Sequence, residues 1–108
     1  MAAPTDRFQL VLTTAGSDEQ AESIARALVE RRLAACVNIT PVCSVYRWNG
    51  EVTREGERLL FIKTTEGRLP ELRAAIRELH TYEVPEVIAL PIAAGDPDYM
   101  RWLAESVD

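Results

Sequence analysis

Few residues in this chain have side chains that could do chemistry, and they are scattered. There is one histidine, His80, and two cysteines, Cys36 and Cys43. Thiolate and imidazole are soft ligands that suit copper, so His80 and Cys36 are the candidate metal ligands. One imidazole cannot hold copper tightly, and a chain with a single histidine cannot build a multi-His site. The Cys-x6-Cys spacing matches no standard zinc or redox motif, which leaves Cys43 the weaker candidate. Each residue also has a purely structural explanation. A free cysteine is commonly a small buried apolar residue, and a histidine at a helix end bonds the last carbonyls.

A second set of residues points to a pocket. Lys63 follows Phe61 and Ile62 in an apolar stretch, and a buried ammonium needs a partner or an anionic ligand. Glu86, beside Pro85, is the candidate partner. Tyr82, Trp48 and Trp102 offer apolar bodies with hydrogen-bonding tips for the same site. The alternative is a structural Lys63–Glu86 ion pair with the aromatics as interface core. Catalysis has no comparable support. The five glycines are scattered singly, so there is no dinucleotide or phosphate loop, and no His-Glu-x-x-His occurs. Ser17, Ser23 and Ser106 fall on helices, and Ser44 has no assignable base. The expectation is a protein that is not an enzyme.

The elements that must position these residues alternate along the chain. Phe8 to Thr14 is rich in β-formers and reads as a strand. Ser17 and Gln20 have the spacing of a capping box. Ala21, Ile24, Ala25, Leu28 and Val29 then mark one face of a helix, and the basic pair Arg31-Arg32 stands where a helix end favours cations. From Ala34 to Trp48 the pattern is strand-like, Cys36 to Ile39 and then Val42 to Trp48, with Pro41 at a bulge or an edge position. Asn49-Gly50 is a strong hairpin signal leading into a strand from Glu51 to Thr65, with an irregularity expected at Gly56. Pro70 fits the start of a second helix, with Leu72, Ile76 and Leu79 on one face and its end near His80. A fourth strand runs from Val87 to Ile92. Asp96-Pro97 starts a last helix, whose apolar face is Tyr99, Trp102 and Leu103.

The order is β-α-β-β-α-β plus a terminal helix. That is an α+β, ferredoxin-like arrangement, a four-stranded antiparallel sheet with helices on one face. The uncovered face ought then to be polar. Instead Leu59 and Phe61 oppose Leu60 and Ile62, and Ile88, Leu90 and Ile92 oppose Val87 and Ala89. Both faces are apolar, so another subunit is expected to cover the second.

Length and charge fit this picture. The 108 residues and 12.1 kDa make one domain spanning 1–108. Apolar residues at 47% and charged residues at 27% are those of a soluble globular domain. Twelve basic residues against 17 acidic leave a net charge of −5, a poor match to nucleic acid. Apolar runs are far short of the roughly 20 residues of a membrane span. The N-terminus lacks the basic flank and apolar core of a signal peptide, so a cytoplasmic location is expected.

Five segments in order carry a resemblance over Phe8 to Leu103. They are Arg32-Leu33-Ala34-Ala35-Cys36-Val37-Asn38, Tyr46-x-Trp48-x-Gly50, Lys63-Thr64-Thr65, His80-x-Tyr82-Glu83-Val84-Pro85-Glu86, and Gly95-Asp96-x-Asp98-Tyr99-x-x-Trp102-Leu103. On these motifs the chain resembles the CutA family of divalent-cation tolerance proteins. The resemblance implies a homotrimer whose sheets pack around a three-fold axis. It also implies a link to copper and other divalent metals, weakly held here. The copper ligands proposed for bacterial relatives fall on Thr13, Leu79 and His80, of which only His80 can ligate. The family's trimer is similar to that of the PII signalling proteins, which bind small ligands between subunits. That likeness adds a small-ligand sensor, with a small anionic ligand between subunits, as an alternative. A purely structural trimeric scaffold is the third reading.

Overall fold

A computed structural model describes residues 8–108. The elements are β1 (Phe8–Ala15), α1 (Asp18–Glu30), β2 (Cys36–Trp48), β3 (Glu51–Thr65), α2 (Leu69–Leu79), β4 (Ile88–Pro91) and α3 (Pro97–Ser106), with a 3-10 turn at Glu66–Arg68 before α2. The four strands form one antiparallel sheet in the order β2-β3-β1-β4, as the ferredoxin-like reading requires. β4 is shorter than the sequence suggests, although the Ile92 amide still donates to the Phe8 carbonyl at 2.9 Å.

Alternation along β1 and β3 sends Val11, Thr13, Ala15, Leu60, Ile62 and Thr64 to one face, where all are buried. Helices α1 and α2 cover that face with Ala21, Ile24, Leu28, Leu72 and Ile76. Val29, expected on the same stripe, is 42% exposed instead, because it lies beyond the arc of α1 that meets the sheet. Ser17 caps α1 by accepting from the Gln20 amide at 3.1 Å. The Gln20 side chain does not complete a capping box. It donates to the Leu79 carbonyl at 3.3 Å, tying α1 to the end of α2.

The last helix corrects the one-sided picture. Leu103 and Val107 of the C-terminal segment pack with Ala35, Phe8 and Met100. This places α3 at the Phe8 end of the second sheet face. Arg32 and Arg68 donate to its last carbonyls, at 2.9 Å to Glu105 and 2.7 Å to Val107, where a helix terminus welcomes cations. Tyr99 and Trp102 stay more than two-fifths exposed, so only Leu103 of the expected apolar face is core. Among the described residues no helix covers the rest of the second face. Leu10, Leu12, Leu59 and Phe61 are half-buried there, and Ile88 and Leu90 are exposed.

β2 and β3 pair without interruption from Cys36–Lys63 to Trp48–Glu51. Gly56 lies in register opposite Cys43, so the irregularity expected there is absent. Pro41 sits on the edge strand, opposite Arg58, and breaks no register. β1 ends at Ala15 opposite Arg58, and beyond it the hairpin continues as a free two-stranded ribbon. The molecule is accordingly elongated, 50 × 25 × 22 Å. Asn49 and Gly50 close the ribbon with φ of 51° and 81°, the left-handed pair of a tight turn whose twist matches its strands. Replacing Gly50 with Val puts a β-branched residue at positive φ. It should lower stability by about 1–3 kcal/mol, read as a shift in the urea midpoint; no shift would mean that the turn tolerates the strain.

Candidate functional site

Where the ribbon leaves the sheet, the connector 81–87 folds against it and a cleft of about 670 Å³ forms. Its floor is the stretch of β3 just past the end of β1. Glu57 there is only 5% exposed, and its carboxylate accepts from the Tyr82 hydroxyl at 2.6 Å. Gly16 makes this approach possible. A Cβ at that position would lie 3.2 Å from the Tyr82 oxygen, so a larger side chain would push the phenol off Glu57. A second phenol repeats the arrangement on the ribbon, where Tyr46 donates to Glu55. Trp48, Glu83 and Glu86 complete the functional lining.

Both phenols are held in their protonated form. Burial pushes the Tyr82 hydroxyl up most, and its bond to Glu57 and the nearby negative charge add to the effect. The bond to Glu55 is the main reason that Tyr46 is pushed up to about 12.

His80 supports the cleft from behind. Its Nδ1 accepts from the Tyr82 amide at 3.1 Å, and Nε2 lies 2.6 Å from the Thr14 carbonyl. A carbonyl only accepts, so Nε2 carries the proton and Nδ1 is bare. The ring also rests 4.5 Å from the Tyr82 ring. His80 thus pins the connector to the end of β1, and both ring nitrogens are engaged. Of the other metal-ligand positions, Thr13 is a buried hydroxyl without a partner among the described residues, and Leu79 packs beside the core. Cys36 lies opposite Lys63 at the far end of the sheet, half-buried, its Sγ 3.9 Å from the Asn38 amide oxygen. Cys43 is exposed on the ribbon. Among the described residues no three His, Cys, Asp or Glu side chains gather as a metal site.

The pocket residues read from the sequence separate into two groups. Tyr82, Glu86 and Trp48 meet in the cleft. Lys63 does not join them and forms no ion pair with Glu86. It lies opposite Leu10, far along the strand from the cleft, with its Nζ 5.7 Å from the centroid of the Tyr99 ring. Trp102 lines a different crevice, with Val29 and Arg32, and its ring lies tilted 5.4 Å from that of Tyr99. Tyr46 and Glu83 stand in the motif segments but not among the pocket residues read from the sequence, and Glu55 and Glu57 stand in neither. The hairpin signal could have found Tyr46 and Glu55, because a two-residue Asn49-Gly50 turn sets the register that puts them on one face. No local pattern could have joined Tyr82 to Glu57.

The raised phenols predict an alkaline limit to stability. A group whose folded pKa lies above its unfolded value contributes fully below the unfolded value, about 10 for tyrosine. That contribution is lost as pH rises through the folded value, about 12 for Tyr46 and higher for Tyr82. The thermal midpoint should be level up to about pH 10 and fall above it, together with the rise of phenolate absorbance. Tyr82→Phe should shrink the fall. An alkaline fall of the same size in that variant would contradict the role given to Tyr82.

Comparison with known proteins agrees with this architecture. The family model described as CutA1 divalent ion tolerance protein matches residues 9–106. A divalent-cation tolerance protein CutA from Thermus thermophilus is 52% identical over 99 residues, covering 91% of this chain and 96% of that protein. Protein CutA of Mus musculus is 46% identical over 91 residues, 83% of this chain, but the match spans only 51% of the longer mouse protein. A solved structure of the Thermus thermophilus protein superposes with a TM-score of 0.91 at 51% identity, covering 94% of this chain and 99% of that one. A CutA1 crystal structure from Oryza sativa gives 0.93 at 42% identity, covering 96% of both chains. With nearly its whole length matched in sequence and in fold, the chain belongs to the CutA1 divalent ion tolerance family.

Proposed function

We propose that this protein acts as a homotrimer in divalent-cation tolerance, without catalysis, and that its contact with copper or another divalent cation is weak. The observation that carries the assembly is the second sheet face. Leu12 lies opposite both Phe61 and Ile88, and Leu10 opposite Leu90, with no helix over them. The ribbon adds Val45 and Val52, each about two-thirds exposed. Two strands alone are barely stable in water, so cover from a neighbour supports both features. Two free thiols suit a reducing cytoplasm. No helix among the described residues is long and apolar enough to cross a membrane.

Light scattering should give three times the 12.1 kDa of one chain. Phe61→Asp or Leu90→Asp would bury an unpaired charge and should break the assembly or the fold. A well-folded monomer of the unmodified protein would defeat the reading.

Weak metal contact is supported by the engaged nitrogens of His80 and by the distance from His80 to Cys36. Calorimetry with copper(II) should show no tight stoichiometric site. The residual affinity should drop on His80→Ala. Tight copper indifferent to His80→Ala would remove His80 from the metal reading.

The cleft favours a second reading, a small-ligand sensor of the PII-like kind. Its volume of about 670 Å³ is that of a small-molecule site. Lys63, the candidate anchor for an anionic ligand, lies outside this cleft beside Tyr99.

A further inference from the structure

We infer that Lys63 of one subunit forms an ion pair with Glu86 of its neighbour, so that the base at one end of the second sheet face meets the acidic cleft at the other end of the next chain's face. This rests on the homotrimer reading above and adds the contact that orients its subunits. Three observations carry it.

The first is placement. Alternation along β3 puts Glu55, Glu57, Leu59, Phe61 and Lys63 on one side of the strand. The cleft stands at the Glu57 end and Lys63 at the end beside Tyr99 of α3. Lys63 is six positions past Glu57, about 20 Å along the strand, so no side chain joins the two ends within one chain. In a closed ring each chain presents one surface to one neighbour and a different surface to the other. Two unlike ends of one face suit that arrangement.

The second is charge. Glu55, Glu57, Glu83 and Glu86 line the cleft. Glu55 and Glu57 already accept from Tyr46 and Tyr82. Glu86 is half-buried and has no such partner among the described residues. At the other end the ammonium of half-buried Lys63 meets only the face of the Tyr99 ring among the described residues. Each end therefore offers a charge that its own chain does not pair, and the two are opposite in sign.

The third is what cover does to those charges. A neighbour seated over Leu10, Leu12, Phe61 and Leu90 takes Lys63 and Glu86 further out of water. A charge buried alone is costly, whereas an ammonium and a carboxylate enclosed together satisfy each other. Among the ways to cover this apolar face, the one that brings Lys63 to Glu86 leaves neither stranded.

Lys63 is the only lysine of the chain, so it is the one side-chain amine that a water-soluble carbodiimide can join to a carboxylate. The assembled, unmodified protein is treated with the carbodiimide, run on a denaturing gel and mapped by peptide mass spectrometry, with light scattering on the untreated sample. Covalent dimers and trimers should appear, and mapping should place the new amide between Lys63 and Glu86. Lys63→Arg, which keeps the positive charge without an amine to couple, and Glu86→Gln, which removes the carboxylate, should each lose that product. A monomer by light scattering defeats the homotrimer reading and this contact with it. A trimer whose Lys63 stays uncoupled, joins another carboxylate, or joins Glu86 only within its own chain keeps the assembly and overturns the contact. Dimers that persist undiminished in Glu86→Gln overturn it as well.

Discussion

Strand β3 is apolar on both sides and nearly twice as long as β1, 15 residues against eight, and the rest of the structure follows from that. One face of β3 gives Leu60 and Ile62 to the core under α1 and α2. The other gives Leu59 and Phe61 to a face that α3 covers only at one end. Among the described residues no further element lies over the rest of that face. The extra length of β3 acts in another direction. Past Arg58 there is no β1 left to pair with, and β3 continues with β2 alone as the ribbon.

The cleft exists because of that overhang. A strand that outruns its neighbour leaves an empty position at the end of the shorter one, and Gly16 keeps that position free of a side chain. The connector after α2 fills it with the Tyr82 phenol. His80, at the C-cap of α2, joins the connector to the Thr14 carbonyl through one imidazole. The residue most suggestive of metal chemistry in the sequence is thus engaged as a bracket between α2, β1 and the connector. An uncharged imidazole suits that role, because its bare nitrogen accepts an amide while the protonated one donates to a carbonyl.

Membership of the family brings a name attached to divalent cations, and the geometry of the isolated chain sits at an angle to that name. Its metal-ligating side chains are dispersed, while its carboxylates and aromatic rings converge. The phenols of Tyr46 and Tyr82 stay protonated across the physiological range.

The sequence by itself determined most of the fold. β-forming residues, helical periodicity and turn signals placed the described α-helices and strands, the Ser17 cap and Asn49-Gly50 turn set where two of them begin, and the two-sided apolar pattern of β3 and β4 left one face to be explained. These are local facts, carried by spacing along the chain, and the five motif segments added the family. Within one chain Glu86, Tyr82 and Trp48 line one cleft, whereas Lys63 and Trp102 lie apart from it. Tertiary structure decided those separations, because Lys63 and Glu86 are 23 positions apart and only the sheet register says that they lie toward opposite ends. It also decided that Glu57 is buried. Alternation could say which face Glu57 takes, but only the return of the chain after α2 brings a phenol down onto it. Whether a carboxylate near a turn is solvated or enclosed depends on what folds over it, and that information is not in its own stretch of sequence.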